Sequence, residues 1–423
     1  MPAHQRSAPW MALIILTAIS TVGFIDRIVV NVLVEPIKAE FALSDTQVSL
    51  MGAAFTLLNI GLALIVARYA ERTRRLTLIS VGTLLWSGAT AICGLAGNWT
   101  SLLFARMGVG VGEAIGLPSL QSVIADYYPA GRRGLAISTL MLAPPIGAFI
   151  GYVGGGWIAQ NFDWRFTFYI AAVPGIILAL IAWLLVAEPA RGQHDAGATD
   201  NTVPPISAVL RRLFGLASAR NLVIGSAIAA MLGFGINYFF TSLMMRRFGL
   251  GIGEAGLYSG VIASLPAALS VLGSGWLADR WGARTPAAYA LVPAACLLVG
   301  GPLYAFAITR EELPTLLGLV SIATFLNFGY LGVTYAALQN LMHPRMRATA
   351  SALLNIVYGI ASALGPFLLG LLSDGMAARQ GESLGLATAM AMAALLYLWA
   401  AAHYVLAARR LGEETKGVQV GLA

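Results

Sequence analysis

The chain has 423 residues, 58% of them hydrophobic and only 11% charged, with a formal net charge of +7 and a mean hydropathy of +0.78. Soluble domains carry about 25% charged residues, so this composition excludes a water-soluble domain and specifies an integral membrane protein. A basic excess also fits nucleic acid, but the placement of the charges accounts for it better.

A spanning helix needs ~20 mostly apolar residues. Twelve such stretches follow one another, at about 10–34, 45–68, 76–97, 99–127, 133–160, 164–187, 221–245, 253–278, 286–308, 313–342, 347–373 and 383–408. They are continuous runs rather than ten-residue alternations, which argues for helices and against a barrel. The first is too long for a signal peptide, carries Asp26 and Arg27, and has no small-residue cleavage site after it. Cys93 and Cys296 fall inside apolar segments and read as small buried residues. With the N-terminus inside, eighteen of the 26 Lys and Arg lie in inner stretches, six in outer stretches and two within segments. That bias predicts both termini on the cytoplasmic side of a bacterial inner membrane, with the bases facing anionic lipid heads.

The longest polar interruption, 188–220, divides the segments six and six. It predicts an N-terminal bundle over 1–187, a cytoplasmic linker, and a C-terminal bundle over 221–423. The end of the linker, Ile206 to Ala219, sets Val209, Leu210, Leu213, Phe214 and Leu216 beside Arg211 and Arg212, the pattern of a short amphipathic helix on the membrane surface. Short basic loops recur at matching places in the two halves, as a duplicated six-helix unit would leave.

Four ionisable residues lie inside segments: Asp26 and Arg27 in the first, Arg106 and Glu113 in the fourth. Each costs a few kcal/mol at bilayer depth, ~2.5–3.5 on insertion scales, so such groups line water-filled paths and pair with one another. Asp26 lies ~24 Å along segment 1 at 1.5 Å per residue, and Arg106 about two turns into segment 4, which runs the other way. The two stand at similar depth and are expected to pair. Glu113 is on the same face as Arg106 but ~10 Å deeper, so a direct bond between those two is not expected. Arginine stays protonated, so Asp26 and Glu113 must carry any titration. Glu113 reads as the better proton carrier, because Asp26 has the closer cations. The other reading is a permanent ion pair that only fixes the packing of segments 1 and 4. Arg27 reads as an anion-binding or gating residue, or as a structural one.

The C-terminal half carries no charge deep in its segments. Its cavity candidates are neutral: Asn237 and Tyr238, Asn327 and Tyr330, Asn355 and Tyr358. They could bind a headgroup or could make interhelical hydrogen bonds. His403 reads as interfacial, and Arg246 and Arg247 as a solvated flank.

Gly275-Trp276-Leu277-Ala278-Asp279-Arg280-Trp281-Gly282-Ala283-Arg284 resembles the loop signature of the major facilitator superfamily. The N-terminal copy is degraded, with Ala67 and Glu71 in place of its glycine and aspartate. The resemblance makes Arg68, Glu71, Arg72, Asp279, Arg280 and Arg284 inner-gate residues, with Asp126 as the partner of Arg68 or Arg72. Arg106 through Ala114 resembles the superfamily's segment-4 motif. Gly147, Gly151, Gly155 and Gly156 resemble its segment-5 antiporter motif, but Tyr152 stands in place of a proline. An ordered set running from Phe24-Ile25-Asp26-Arg27 through Glu35-Pro36, Gly110-Val111-Gly112-Glu113-Ala114 and Trp164-Arg165 to Glu188-Pro189 is similar to Spinster-like transporters.

The resemblance implies an all-α major facilitator fold of twelve helices in two six-helix bundles. It also implies proton-coupled export of a lipid-like amphiphile, of sphingolipid or lysophospholipid type, by alternating access. The expected partners are that substrate, protons and membrane lipids. No nucleic acid, metal or organic cofactor is expected, since the proton gradient would supply the energy, and the protein reads as a monomer. Rival readings are a multidrug–proton antiporter, an organic anion–proton symporter and an uncoupled lipid scramblase. No Ser-His-Asp set, metal cluster or Walker loop points to an enzyme.

Overall fold

The computed structural model describes residues 8–70, 73–191, 205–343 and 346–419. In chain order its helices are α1 (Pro9–Val32), α2 (Val34–Phe41), α3 (Asp45–Ala70), α4 (Arg75–Gly94), α5 (Trp99–Glu113), α6 (Gly116–Tyr127), α7 (Ala130–Leu140), α8 (Ala143–Asn161) and α9 (Trp164–Leu185). There follow α10 (Ile206–Gly215), α11 (Ala217–Phe248), α12 (Ile252–Gly282), α13 (Ala288–Ile308), α14 (Leu313–Asn327), α15 (Leu331–Leu341), α16 (Arg347–Gln380), α17 (Glu382–Leu395) and α18 (Tyr397–Gln419). No strand occurs among the described residues. In a bilayer every backbone donor and acceptor must be satisfied within the chain, and helices do this locally.

Each predicted segment coincides with one helix or with a broken pair. Among the described residues ten helices are long and apolar enough to cross a membrane, or eleven if the pair Val34–Phe41 and Asp45–Leu62, bent by 119°, counts as one span. The remaining segment is the fourth, split into α5 of 15 residues and α6 of 12. Segments 5, 10 and 12 are likewise interrupted, at Met141–Leu142, at Phe328–Tyr330 and at Leu396.

Local chemistry places the ends. Asn98 and Ser101 form a reciprocal capping box at the start of α5, which satisfies two orphan donors. Gly249, at φ +65°, ends α11 in the left-handed conformation that glycine adopts without a Cβ penalty. Glu188 accepts the Leu76 N–H at 2.9 Å, and Glu414 accepts the N–H groups of Ala217 and Ser218, each at 3.1 Å. Each carboxylate thus sits on the positive end of a helix dipole. The linker helix is α10. It buries Val209 and Leu213 and leaves Ile206 and Phe214 exposed. It ends at Gly215, four residues short of the expected Ala219, because Leu216 is extended.

Contacts divide the chain into two units: Met1–Asp200 with Leu250–Gly260, and Asn201–Gly249 with Val261–Ala423. In the first unit α4 packs on α9 and α5, α1 on α8 and α9, and α3 on α5. The segment-5 glycines make the α1–α8 approach close. A Cβ on Gly147 would lie 2.5 Å from the Phe24 Cβ and 2.8 Å from the Thr21 carbonyl oxygen. Small residues at this spacing let two backbones meet. In the second unit α11 packs on α16 and α18, α16 on α17, and α13 on α14 and α18.

Between the start of α9 and the end of α2, Arg165 forks onto Glu40 at 2.6 and 2.8 Å while the Trp164 indole donates to the same carboxylate at 2.6 Å. The Arg165 hydrogen bonds hold the Glu40 carboxyl below its usual range.

Candidate transport site

The four intramembrane ionisable residues gather in the first unit, on α1 and α5. Asp26, Arg106 and Glu113 are buried, at 1%, 2% and 6% exposure. Arg27 is different. Its Nε donates to Glu113 Oε2 at 2.6 Å, yet 42% of its side chain is exposed. Its two terminal nitrogens make no hydrogen bond with a described residue. The guanidinium lies 5.3 Å from the Phe24 ring centre and 5.6 Å from that of Phe55, within the range where a cation is attracted to a ring face.

Arg106 does not pair with the Asp26 side chain as the depth argument predicts. Its Nη1 donates to the main-chain carbonyl of Asp26 at 3.3 Å, and its guanidinium lies 5.0 Å from the Phe55 ring centre. Both carboxylate oxygens of Asp26 are buried without a hydrogen bond. The direction of helical side chains explains the exchange of partners. Every side chain leans toward its own helix's N-terminus, and α1 and α5 belong to spans of opposite direction. Arg27 and Glu113 therefore lean toward each other and close the gap in depth. Asp26 and Arg106, at similar depth by the rise along their helices, lean past each other. Glu113, not Asp26, has the close cation, which reverses the sequence argument for Glu113 as the better proton carrier.

The helices hold this cluster by close contact. A Cβ on Gly110 would meet the Phe55 carbonyl oxygen at 2.6 Å, and one on Gly112 the Trp86 backbone nitrogen at 2.6 Å. These glycines press α5 against α3 and α4 next to Glu113. Asn59 Nδ2 donates to the Gly110 carbonyl at 3.3 Å. Sequence reasoning missed Phe55 and Asn59. Their spacing of one helical turn, on the same face of segment 2, was the available signal.

A second charged cluster lies at the start of α4. Asp126 pairs with Arg75 at 2.5 Å. Arg75 also donates to Glu188 at 2.9 Å, to Ser122 at 2.8 Å and to the Pro189 carbonyl at 3.3 Å. Arg75 is folded in, at 4% exposure, because it opens α4 where α6 and the end of α9 converge, whereas Arg74 is exposed. Glu71, Arg72 and the side chain of Arg68 lie outside the described residues. In the second unit Asp279 accepts the Tyr289 hydroxyl at 2.7 Å. Arg280 rests over the Trp276 ring, and Arg284 is exposed.

The neutral candidates separate into two groups. Asn237 and Asn327 line one recess together. Tyr330 and Tyr358 meet edge to face, as do Tyr335 and Tyr358, and the Tyr335 hydroxyl donates to Asn355. Tyr238 is buried with its ring edge-on to Phe239. His403 bonds the Asn221 side chain at 2.8 Å. No cluster of three or more metal-ligating side chains occurs among the described residues.

The sequence pattern of the Major Facilitator Superfamily matches residues 15–366. The chain belongs to this superfamily. A membrane transporter built of twelve helices in two six-helix bundles is therefore the architecture described above. The chain is 28% identical over 415 residues to an "MFS-type efflux pump" of Mycolicibacterium smegmatis, covering 96% of this chain and 94% of that protein. It is 24% identical to "Protein spinster" of Drosophila melanogaster over 86% of this chain and 62% of that one. Among solved structures it is similar to a bacterial homolog of the human lysosomal transporter Spinster, in an inward-facing and unoccupied conformation. There the TM-score is 0.89 at 28% identity, over 96% of this chain and 98% of that chain.

Proposed function

We propose that this transporter moves a lipid-like amphiphile with an anionic head, of sphingolipid or lysophospholipid type, across a bacterial inner membrane with its movement coupled to protons. The observation that carries the reading is the half-exposed Arg27, bound to Glu113 through Nε with its outer nitrogens open. An anionic head that docks on those nitrogens forms charge-assisted, fork-like hydrogen bonds and draws the guanidinium away from Glu113. A buried carboxylate left without its cation is costly, so Glu113 takes up a proton. When the substrate leaves, Arg27 returns and the proton departs. The Glu113 carboxylate and the anionic head thus compete for one arginine, so that substrate and proton are bound together and released together. Asp26, beside Thr90 and Arg106, is the second proton site. Arg106 sets its position through the backbone. Rocking of the two bundles would expose the site to each side in turn.

The protein acts as a monomer with both termini cytoplasmic, draws on the proton gradient and uses no cofactor. The lipid reading is supported by the name of an Arabidopsis thaliana relative, "Probable sphingolipid transporter spinster homolog 1", 30% identical over 35% of this chain. A multidrug–proton antiporter is the second reading, favoured by the name of the Mycolicibacterium relative.

The test is uptake of a fluorescent lysophospholipid into proteoliposomes, with and without an imposed proton gradient, for wild type, Glu113→Gln and Arg27→Ala. The expected result is gradient-driven flux that Glu113→Gln uncouples and Arg27→Ala abolishes. Flux indifferent to gradient and to Glu113→Gln would make the ion pair structural and the protein a scramblase. Transport of cationic drugs that survives Arg27→Ala, without lipid flux, would favour the multidrug reading.

A further inference from the structure

Two of the broken spans, segments 4 and 10, are built alike. Helix α5 runs 15 residues and ends on Glu113, and α14 runs 15 residues and ends on Asn327. In each unit a half-helix therefore delivers its last side chain, buried, to a break in the backbone. Discontinuous helices place binding groups at such breaks in transporters. The two copies differ in what meets that side chain. Glu113 receives the Arg27 guanidinium. At the same spacing Arg27 corresponds to Thr241, a neutral residue. Asn327 is 4% exposed, its Oδ1 is buried, and that oxygen has no hydrogen-bond partner. That oxygen packs against Gly300 of α13, where an added Cβ would lie 2.3 Å from it, so the close approach of the two helices fixes the carboxamide at the break.

Asn327 lines a recess that lies wholly within the second unit. Asn237, Thr324, Tyr304, Tyr397 and Phe240 share its wall, and no charged side chain lines it. Asn237 is oriented by its Nδ2 bond to the Gly233 carbonyl at 2.9 Å. The recess is on the scale of one water or hydroxyl group. A carboxamide both donates and accepts, and so does a hydroxyl. A charged group would enter this recess without a counter-ion and lose its hydration.

We infer that the recess at the α14 break is a hydroxyl subsite, which takes an uncharged hydroxyl end of the transported molecule on the Asn327 carboxamide. The inference rests on the amphiphile reading and deepens it.

The test compares lysophosphatidylglycerol with lysophosphatidylpropanol, which carries the same phosphate but no headgroup hydroxyl. Uptake of both is measured in proteoliposomes for wild type, Asn327→Leu and Asn327→Ser. A neutral probe, 1-O-decylglycerol, and its form with both hydroxyls methylated are tested separately by thermal shift on protein in nanodiscs. Wild type should favour lysophosphatidylglycerol about tenfold. Asn327→Leu should lose that preference by weakening the glycerol substrate alone, and Asn327→Ser should keep part of it. Decylglycerol, but not its methylated form, should stabilise wild type and leave Asn327→Leu unmoved. Equal handling of the lipid pair by wild type would overturn the subsite, and so would an equal decylglycerol shift in wild type and Asn327→Leu. Absence of any decylglycerol shift would mean that the recess holds only water, and would overturn it too. If neither lysolipid is transported, the lipid reading fails by itself, and the decylglycerol measurement decides the recess.

Discussion

Arg75 shows how one residue among several alike acquires a structural duty. It stands in a run with Arg72 and Arg74, and nothing in the run marks it out. Its position as the first residue of α4 turns it into the first unit, where Asp126, Glu188, Ser122 and the Pro189 carbonyl all accept from it. Breaking a buried pair by removing one partner costs about 3–5 kcal/mol, because the other charge is left buried. Arg75→Ala should therefore lower the unfolding temperature in detergent sharply, whereas Arg74→Ala, at an exposed neighbour, should change it little. Equal melting of the two variants would mean that the cluster contributes no stability. Arg27 and Glu113 obey the same physics with one difference, the exposure of the arginine, and that difference turns a packing device into an exchangeable one.

At the scale of elements, α5 matters most. Its glycines allow backbone contact with α3 and α4 on the turn that carries Glu113. Gly112→Val should overpack this junction, at a cost of about 1–3 kcal/mol, and should impair transport through the displaced carboxylate. Gly88→Ala, where an added Cβ meets nothing within 4 Å, is the control and should melt with wild type. The measurement is thermal unfolding by intrinsic fluorescence beside gradient-driven flux. The elements themselves were legible in the sequence, as each of the twelve apolar stretches coincides with one helix or a broken pair. The breaks were not. A helix interrupted at Ala114–Ile115 or at Phe328–Tyr330 keeps its apolar composition, so hydropathy runs through it unchanged. The length of α10 was misjudged for a related reason: Leu216 extends the amphipathic pattern but not the helix.

For the whole molecule, the basic residues concentrate in the stretches assigned to the inside. The positive-inside rule turns that bias into an orientation. A green fluorescent protein fused after Ala423 should fluoresce, and alkaline phosphatase at the same point should be inactive. The opposite pair of results would invert the topology and, with it, the side on which Arg27 meets its substrate.

The sequence by itself determined the membrane class, the run of helices, the superfamily and the small set of charges worth attention. Each of these depends on local properties: an apolar run long enough for a bilayer, a loop motif, an ionisable residue where lipid would surround it. The partners of those charges were decided by the tertiary structure. Asp26 and Arg106 are level along their helices yet do not bond through their side chains. Arg27 and Glu113, apart in depth, do. The reason is that a side chain's reach depends on the direction of its helix and on the distance to the next one, and glycines such as Gly110 and Gly112 set that distance only once the neighbouring helices are in place.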